Sequence, residues 1–60
     1  MFVVGQEVYS SNYGKGVVTA IDEDALKYPV EVTFSNGLVE WYTQGGREFI
    51  MEDQPSLVKV

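Results

Sequence analysis

Two glycines one residue apart, in Tyr13-Gly14-Lys15-Gly16, deliver the chain into the apolar run Val17-Val18-Thr19-Ala20-Ile21. Glycine takes positive φ at little steric cost and lets a second backbone pass close by. A Gly-x-Gly directly before β-branched residues therefore marks a tight, closely packed start to a strand. The residues before it read as the first strand of the same sheet, and those after it as a meander that returns. Within the run, Val18 and Ile21 stand three apart, whereas one face of a strand repeats every two residues. Both reach the core only if a β-bulge absorbs one extra residue, a common device where small sheets curl.

The rest of the chain is punctuated in the same style. Phe2 to Gly5 is an apolar lead-in that ends on a glycine turn. Glu7-Val8-Tyr9-Ser10 alternates polar and apolar, as a half-buried strand does. Ser11-Asn12-Tyr13-Gly14 is turn chemistry, and Asp22-Glu23-Asp24 is an acidic turn. Ala25-Leu26-Lys27 has room for half a helical turn before Tyr28-Pro29 forces the chain extended. Val30-Glu31-Val32-Thr33-Phe34 is the clearest strand, with Val30, Val32 and Phe34 on one face. Ser35-Asn36-Gly37 then predicts a hairpin closed by a type I′ turn. Leu38 to Thr43 is the returning strand and carries large residues on both faces. Gln44-Gly45-Gly46-Arg47 is a further turn, and Glu48 to Met51 a short apolar piece, strand or irregular. Glu52 to Ser56 reads as a loop or a single 3₁₀ turn, and Leu57-Val58-Lys59-Val60 as a last strand.

Sixty residues make one domain, residues 1–60, near the lower limit of what folds alone. Such a chain buries only about 60% of the surface its unfolded form exposes. With no cysteine, neither a disulfide nor a thiolate metal site can reinforce that core. Five or six short strands separated by turns make an all-β meander. Curling is the economical way to hide its edges. The expected fold is a small five-stranded SH3-like barrel.

Composition narrows function mostly by exclusion. Histidine is absent along with cysteine, which removes the commonest general base, nucleophile and metal ligands. Asp22-Glu23-Asp24 lacks the alternating ligands and glycine of a calcium loop, and Glu52-Asp53 is no better. Gly14-Lys15-Gly16 lacks the spacing and following Lys-Ser/Thr of a phosphate loop. No catalytic residue, metal or cofactor is expected. The formal charge is −5, and the four basic residues, Lys15, Lys27, Arg47 and Lys59, are scattered. Duplex binding is disfavoured, because nucleic-acid binders gather positive charge on one face. No apolar run approaches the ~20 residues that span a bilayer. The start also lacks the basic region and apolar core of a signal peptide. A cytoplasmic location is the expectation.

The segments Val4-Gly5-Gln6-Glu7-Val8-Tyr9 and Tyr13-Gly14-Lys15-Gly16-Val17-Val18, followed by Ile21, resemble the opening of CarD-type RNA-polymerase-interacting domains. Those are Tudor-like barrels, also found in the transcription-repair coupling factor and related in style to KOW modules. Tyr28 to Gly37 resembles their hairpin, and the likeness spans residues 2 to 43. It implies a barrel that docks on another protein through a sheet edge, in that family on the polymerase β subunit. CarD-type proteins continue into a helical DNA-binding domain, which nothing in this sequence encodes. The chain also resembles short uncharacterised phage and gut-bacterial proteins in Tyr28-Pro29-Val30, Trp41-Tyr42-Thr43 and Pro55-Ser56-Leu57, a likeness that implies no activity.

Tyr9, Tyr13, Tyr28, Trp41 and Tyr42 are a heavy aromatic load for so small a barrel. Either Trp41 plugs the core with tyrosines capping its ends, or some of these rings form a protein-binding patch. A third use, which the Tudor likeness implies, is a cage of aromatics and acids around methylated lysine or arginine. The expected function is a non-enzymatic protein-interaction module using an open strand edge with Tyr13, Lys15 and Trp41. The alternative is a small barrel that binds or mimics nucleic acid. Leu57 to Val60 can pair within its own barrel or with a neighbour's, so a monomer and a weak homodimer both stay open.

Overall fold

The structure, a computed structural model, describes residues 1–60. It contains β1 (Glu7–Ser10), β2 (Gly14–Ile21), β3 (Val30–Phe34), β4 (Val39–Tyr42) and β5 (Leu57–Lys59), and no helix. All pairings are antiparallel, in the order β4-β3-β2-β1-β5. The sheet curls into a half-barrel consistent with a small SH3-like barrel. No helix is long and apolar enough to cross a membrane. The first four strands meander, and β5 returns to the far side of β1.

The register of β2 against β3 shifts between Val18 and Ala20, so the bulge implied by the Val18–Ile21 spacing is present. Thr19 is the extra residue, and its hydroxyl donates to Glu31 Oε1 at 2.6 Å on the exposed side. Val18 is buried and Ile21 packs against the core. Gly16 explains the second glycine of the pair. A Cβ there would lie 2.8 Å from Phe34 Cδ1 and 2.9 Å from Val32 Cγ1. The ring and the valine occupy the space a side chain would take.

The concave face carries the core: Phe2, Val8, Val18, Val30, Val32, Phe34, Tyr42 and Leu57. Burying one such side chain contributes about 1.5–3 kcal/mol. Phe2, from the lead-in, belongs to this core, and Gln44 Oε1 accepts its backbone N–H at 2.8 Å. Ala25 to Lys27 forms no helical turn.

The hairpin after β3 differs from expectation. No non-glycine residue has positive φ, whereas a type I′ turn needs it at both Asn36 and Gly37. Instead Gly37 N donates to Phe34 O at 2.9 Å and Phe34 N to Leu38 O at 2.8 Å. The loop is therefore three residues long, a tight turn closed by Gly37 at φ +91°. Asn36 Oδ1 accepts from Leu38 N at 3.0 Å, which holds this geometry. The consequence is a change of register. A two-residue turn would set Trp41 opposite Val32, whereas the observed pairing sets Glu40 opposite Val32 and Tyr42 opposite Val30. Since a slip of one residue exchanges the faces of a strand, Tyr42 enters the core and Trp41 faces out.

β4 and β5 do not pair with each other, and residues 43–56 cross the gap without a strand. Gly46 is the clasp. Its N–H donates to Thr43 O, and its carbonyl accepts from both Ser56 N and Leu57 N, each at 3.0 Å. It adopts φ +85°, and a Cβ would sit 2.5 Å from Leu57 O.

Candidate functional site

The β1–β2 turn places Tyr13 at the mouth of the half-barrel. Ser10 Oγ accepts from Asn12 N and Tyr13 N at 3.0 and 3.1 Å, fixing that turn from inside. The Tyr13 ring lies 5.3 Å from that of Phe34, and its hydroxyl donates to Glu48 Oε2 at 3.0 Å. Asn12 Nδ2 donates to the other carboxylate oxygen of Glu48 at 3.4 Å. Glu48 thus ties the 43–56 segment to the β1–β2 turn. The hydrogen bond to Glu48, then burial, then the negative charges of Glu48 and Glu40 raise the Tyr13 pKa above its ordinary value.

Trp41 stands on the convex face of β4, opposite Glu31, and is 40% exposed. It lines a groove of about 250 Å³ with Tyr28, Glu40, Glu48 and Phe49. Phe49 is 58% exposed. The Tyr28 hydroxyl accepts from Ile50 N at 3.2 Å, which anchors the neighbouring segment. Three aromatic residues and two glutamates line the groove, and no Lys or Arg does.

The same strand is an open edge. Phe34 N donates to Leu38 O, and antiparallel alternation turns the main chains of Glu40 and Tyr42 toward β3. The N–H and C=O of Val39 and Trp41 then point away from the sheet, on a side where no strand lies. At the opposite margin, Leu57 N is already engaged by Gly46.

Lys15 is elsewhere. It lies on the convex face of β2 opposite Tyr9 and lines a separate groove of about 400 Å³ with Glu7, Val17, Thr33 and Val60. The trio named from the sequence therefore divides. Tyr13 and Trp41 are linked through Glu48, and Lys15 is not part of that arrangement. Tyr28 belongs to the aromatic set named from the sequence, whereas Glu40, Glu48 and Phe49 were missed as groove residues. The only signal was Phe49 in a short apolar piece flanked by acids.

Inside the core, burial pushes the Tyr42 hydroxyl up to about 12. Ser10 acts in the opposite direction, and the charges of Glu48 and Glu40 add to the rise. The contact with Ser10 falls short of a hydrogen bond, so this hydroxyl is buried without a partner. The carboxylates form no cluster of three or more suited to a metal ion. Asp22 Oδ1 instead caps its own turn, accepting from Asp24 N at 3.1 Å.

No protein-family model, curated protein or solved structure matches the chain.

Proposed function

We propose that this protein is a non-enzymatic protein-interaction module that takes an extended segment of a partner along β4. The carrying observation is that one strand offers both outward main-chain groups at Val39 and Trp41 and an aromatic-lined groove at Trp41. Edge pairing supplies affinity through the backbone and specificity through alternate side chains. Tryptophan and tyrosine are the side chains that most often anchor such contacts. The resemblance to CarD-type Tudor-like domains supports the same mode of docking. Nucleic acid is the weaker reading, since the groove at Trp41 is acidic and Lys15 shares its own groove with Glu7.

Two variants test this. Trp41→Ala removes the anchor, and Val39→Pro removes an outward N–H while leaving the β3 ladder intact, a site where an edge strand tolerates proline. A partner captured from bacterial lysate is purified, and its affinity is measured against wild type and both variants after circular dichroism confirms folding. Trp41→Ala is expected to weaken binding by roughly thirtyfold, as loss of about 2 kcal/mol at a hot spot does. Unchanged affinity in both folded variants would refute the proposal.

A further inference from the structure

We infer that the groove beside Trp41 receives an arginine side chain, carried on the extended segment that pairs with β4. This rests on the docking reading and names the chemistry of the partner. Glu40 and Glu48 place two carboxylates around the groove, with no Lys or Arg lining it, in a chain of formal charge −5. A partner cation therefore meets negative charge that the protein itself leaves uncompensated there. Glu48 is held in place by hydrogen bonds from Tyr13 and Asn12, which fix its position without neutralising it.

The rings decide which cation. Trp41 and Phe49 are exposed, and Tyr28 completes the wall. A guanidinium is planar and weakly hydrated, stacks on aromatic faces, and carries five N–H donors in a fork that matches a carboxylate. It presents a planar face to a ring and N–H donors to a carboxylate. A quaternary ammonium satisfies the rings alone, because it has no N–H to donate. A lysine ammonium is a compact, strongly hydrated charge that loses more on leaving water.

Size and placement agree. At about 250 Å³ the groove is smaller than the ~300–1,000 Å³ usual for small-molecule sites, and suits one side chain. Glu40 and Trp41 lie on opposite faces of β4. A strand added at this edge sets successive side chains alternately beside each, at about 5 Å. An arginine set opposite Trp41 therefore lies beside the rings, and one set opposite Glu40 lies beside that carboxylate.

Trp41 is the sole tryptophan, so its fluorescence reports on the groove directly. The probes are four blocked peptides, acetyl-Thr-Val-X-Val-Thr-amide, with arginine, lysine, trimethyl-lysine or glutamine at X. Binding is followed by fluorescence and by amide shifts in ¹H–¹⁵N spectra. The arginine peptide is expected to bind roughly tenfold tighter than the glutamine peptide, the scale of one charge-assisted contact. Raising the salt should narrow that gap, and Glu40→Gln should reduce it to about twofold or less. Glu40 makes no side-chain hydrogen bond within the protein, so this variant leaves the fold undisturbed, which its spectrum checks. Equal affinity for all four peptides, with shifts along β4, would overturn the arginine inference and leave edge docking standing. Preference for trimethyl-lysine would also overturn it. Shifts confined to the Lys15 groove, or no binding by any peptide, would count against both.

Discussion

The half of the molecule formed by β1, β2 and β3 and the segment from Thr43 to Ser56 satisfy their backbones in different ways. In the first, neighbouring strands bond through ladders interrupted only by the bulge at Thr19, and every second side chain of β1 and β3 is buried. In the second, single groups do the work. Arg47 Nε donates to Glu52 O at 2.8 Å and Thr43 Oγ1 accepts from Arg47 N at 3.0 Å, while one glycine carbonyl takes two donors. A ladder distributes its hydrogen bonds, so losing one is tolerable. A clasp concentrates them, so the segment is brittle at one residue. The groove at Trp41 takes Tyr28 and Trp41 from beside the ladder, and Glu48 and Phe49 from the clasped segment. Its shape therefore depends on both.

The comparison fails if the clasp is not the weaker point. Gly46→Ala is the most damaging change expected. Left-handed backbone costs a residue with a Cβ about 1–2 kcal/mol, and this Cβ would also press on Leu57 O at 2.5 Å. A total of about 3 kcal/mol or more is a large share of the stability of so small a domain. Urea denaturation should show the variant unfolded or nearly so. A midpoint within error of wild type would show that Gly46 does not hold the seam.

Gly16→Ala sharpens the contrast from the ladder side. The new methyl meets two side chains and Thr33 O at 3.0 Å, and side chains give way more readily than backbone. The expected loss is about 1–3 kcal/mol, typical of overpacking. If it exceeds the loss from Gly46→Ala, the ranking of the two regions is reversed.

The smallest effect concerns Tyr42, where the sheet meets the segment. Its hydroxyl is pushed from 10.0 up to about 12 in the folded chain. Below pH 10 the phenol is neutral whether folded or not, and the folded state keeps its full stability. As the pH climbs from 10 through 12, the unfolded chain ionises first, and stability falls by up to about 2 kcal/mol. Tyr42→Phe should remove that part of the alkaline loss. At neutral pH it should change stability by no more than about 1 kcal/mol, since it deletes a buried hydroxyl without a partner. Identical alkaline profiles for the two proteins would show that Tyr42 does not carry the effect.

The same division explains what could be read from the sequence. Alternation in Glu7–Ser10 and Val30–Phe34, and the three-residue gap between Val18 and Ile21, encode strands and a bulge through repetition, and repetition is visible in one dimension. The contacts of Arg47 and Glu48 have no period, so nothing in the chain announced them. Asn-Gly signalled a hairpin correctly but not its length, because the Asn36 side chain bonds Leu38 N rather than adopting positive φ. That single unknown left Trp41 and Tyr42 undecided between core and surface. It also hid the groove, whose walls come from three places in the chain.

Surface loops usually absorb an extra or missing residue at little cost. The link from Ser35 to Gly37 has no such slack. Closing it with two residues instead of three, so that Ser35 joins the ladder opposite Leu38, would turn the returning strand over like a page, bringing the indole inward and Glu40 outward. Which aromatic this protein shows to the outside world is thus settled by a count of three in a loop that neither ring lines.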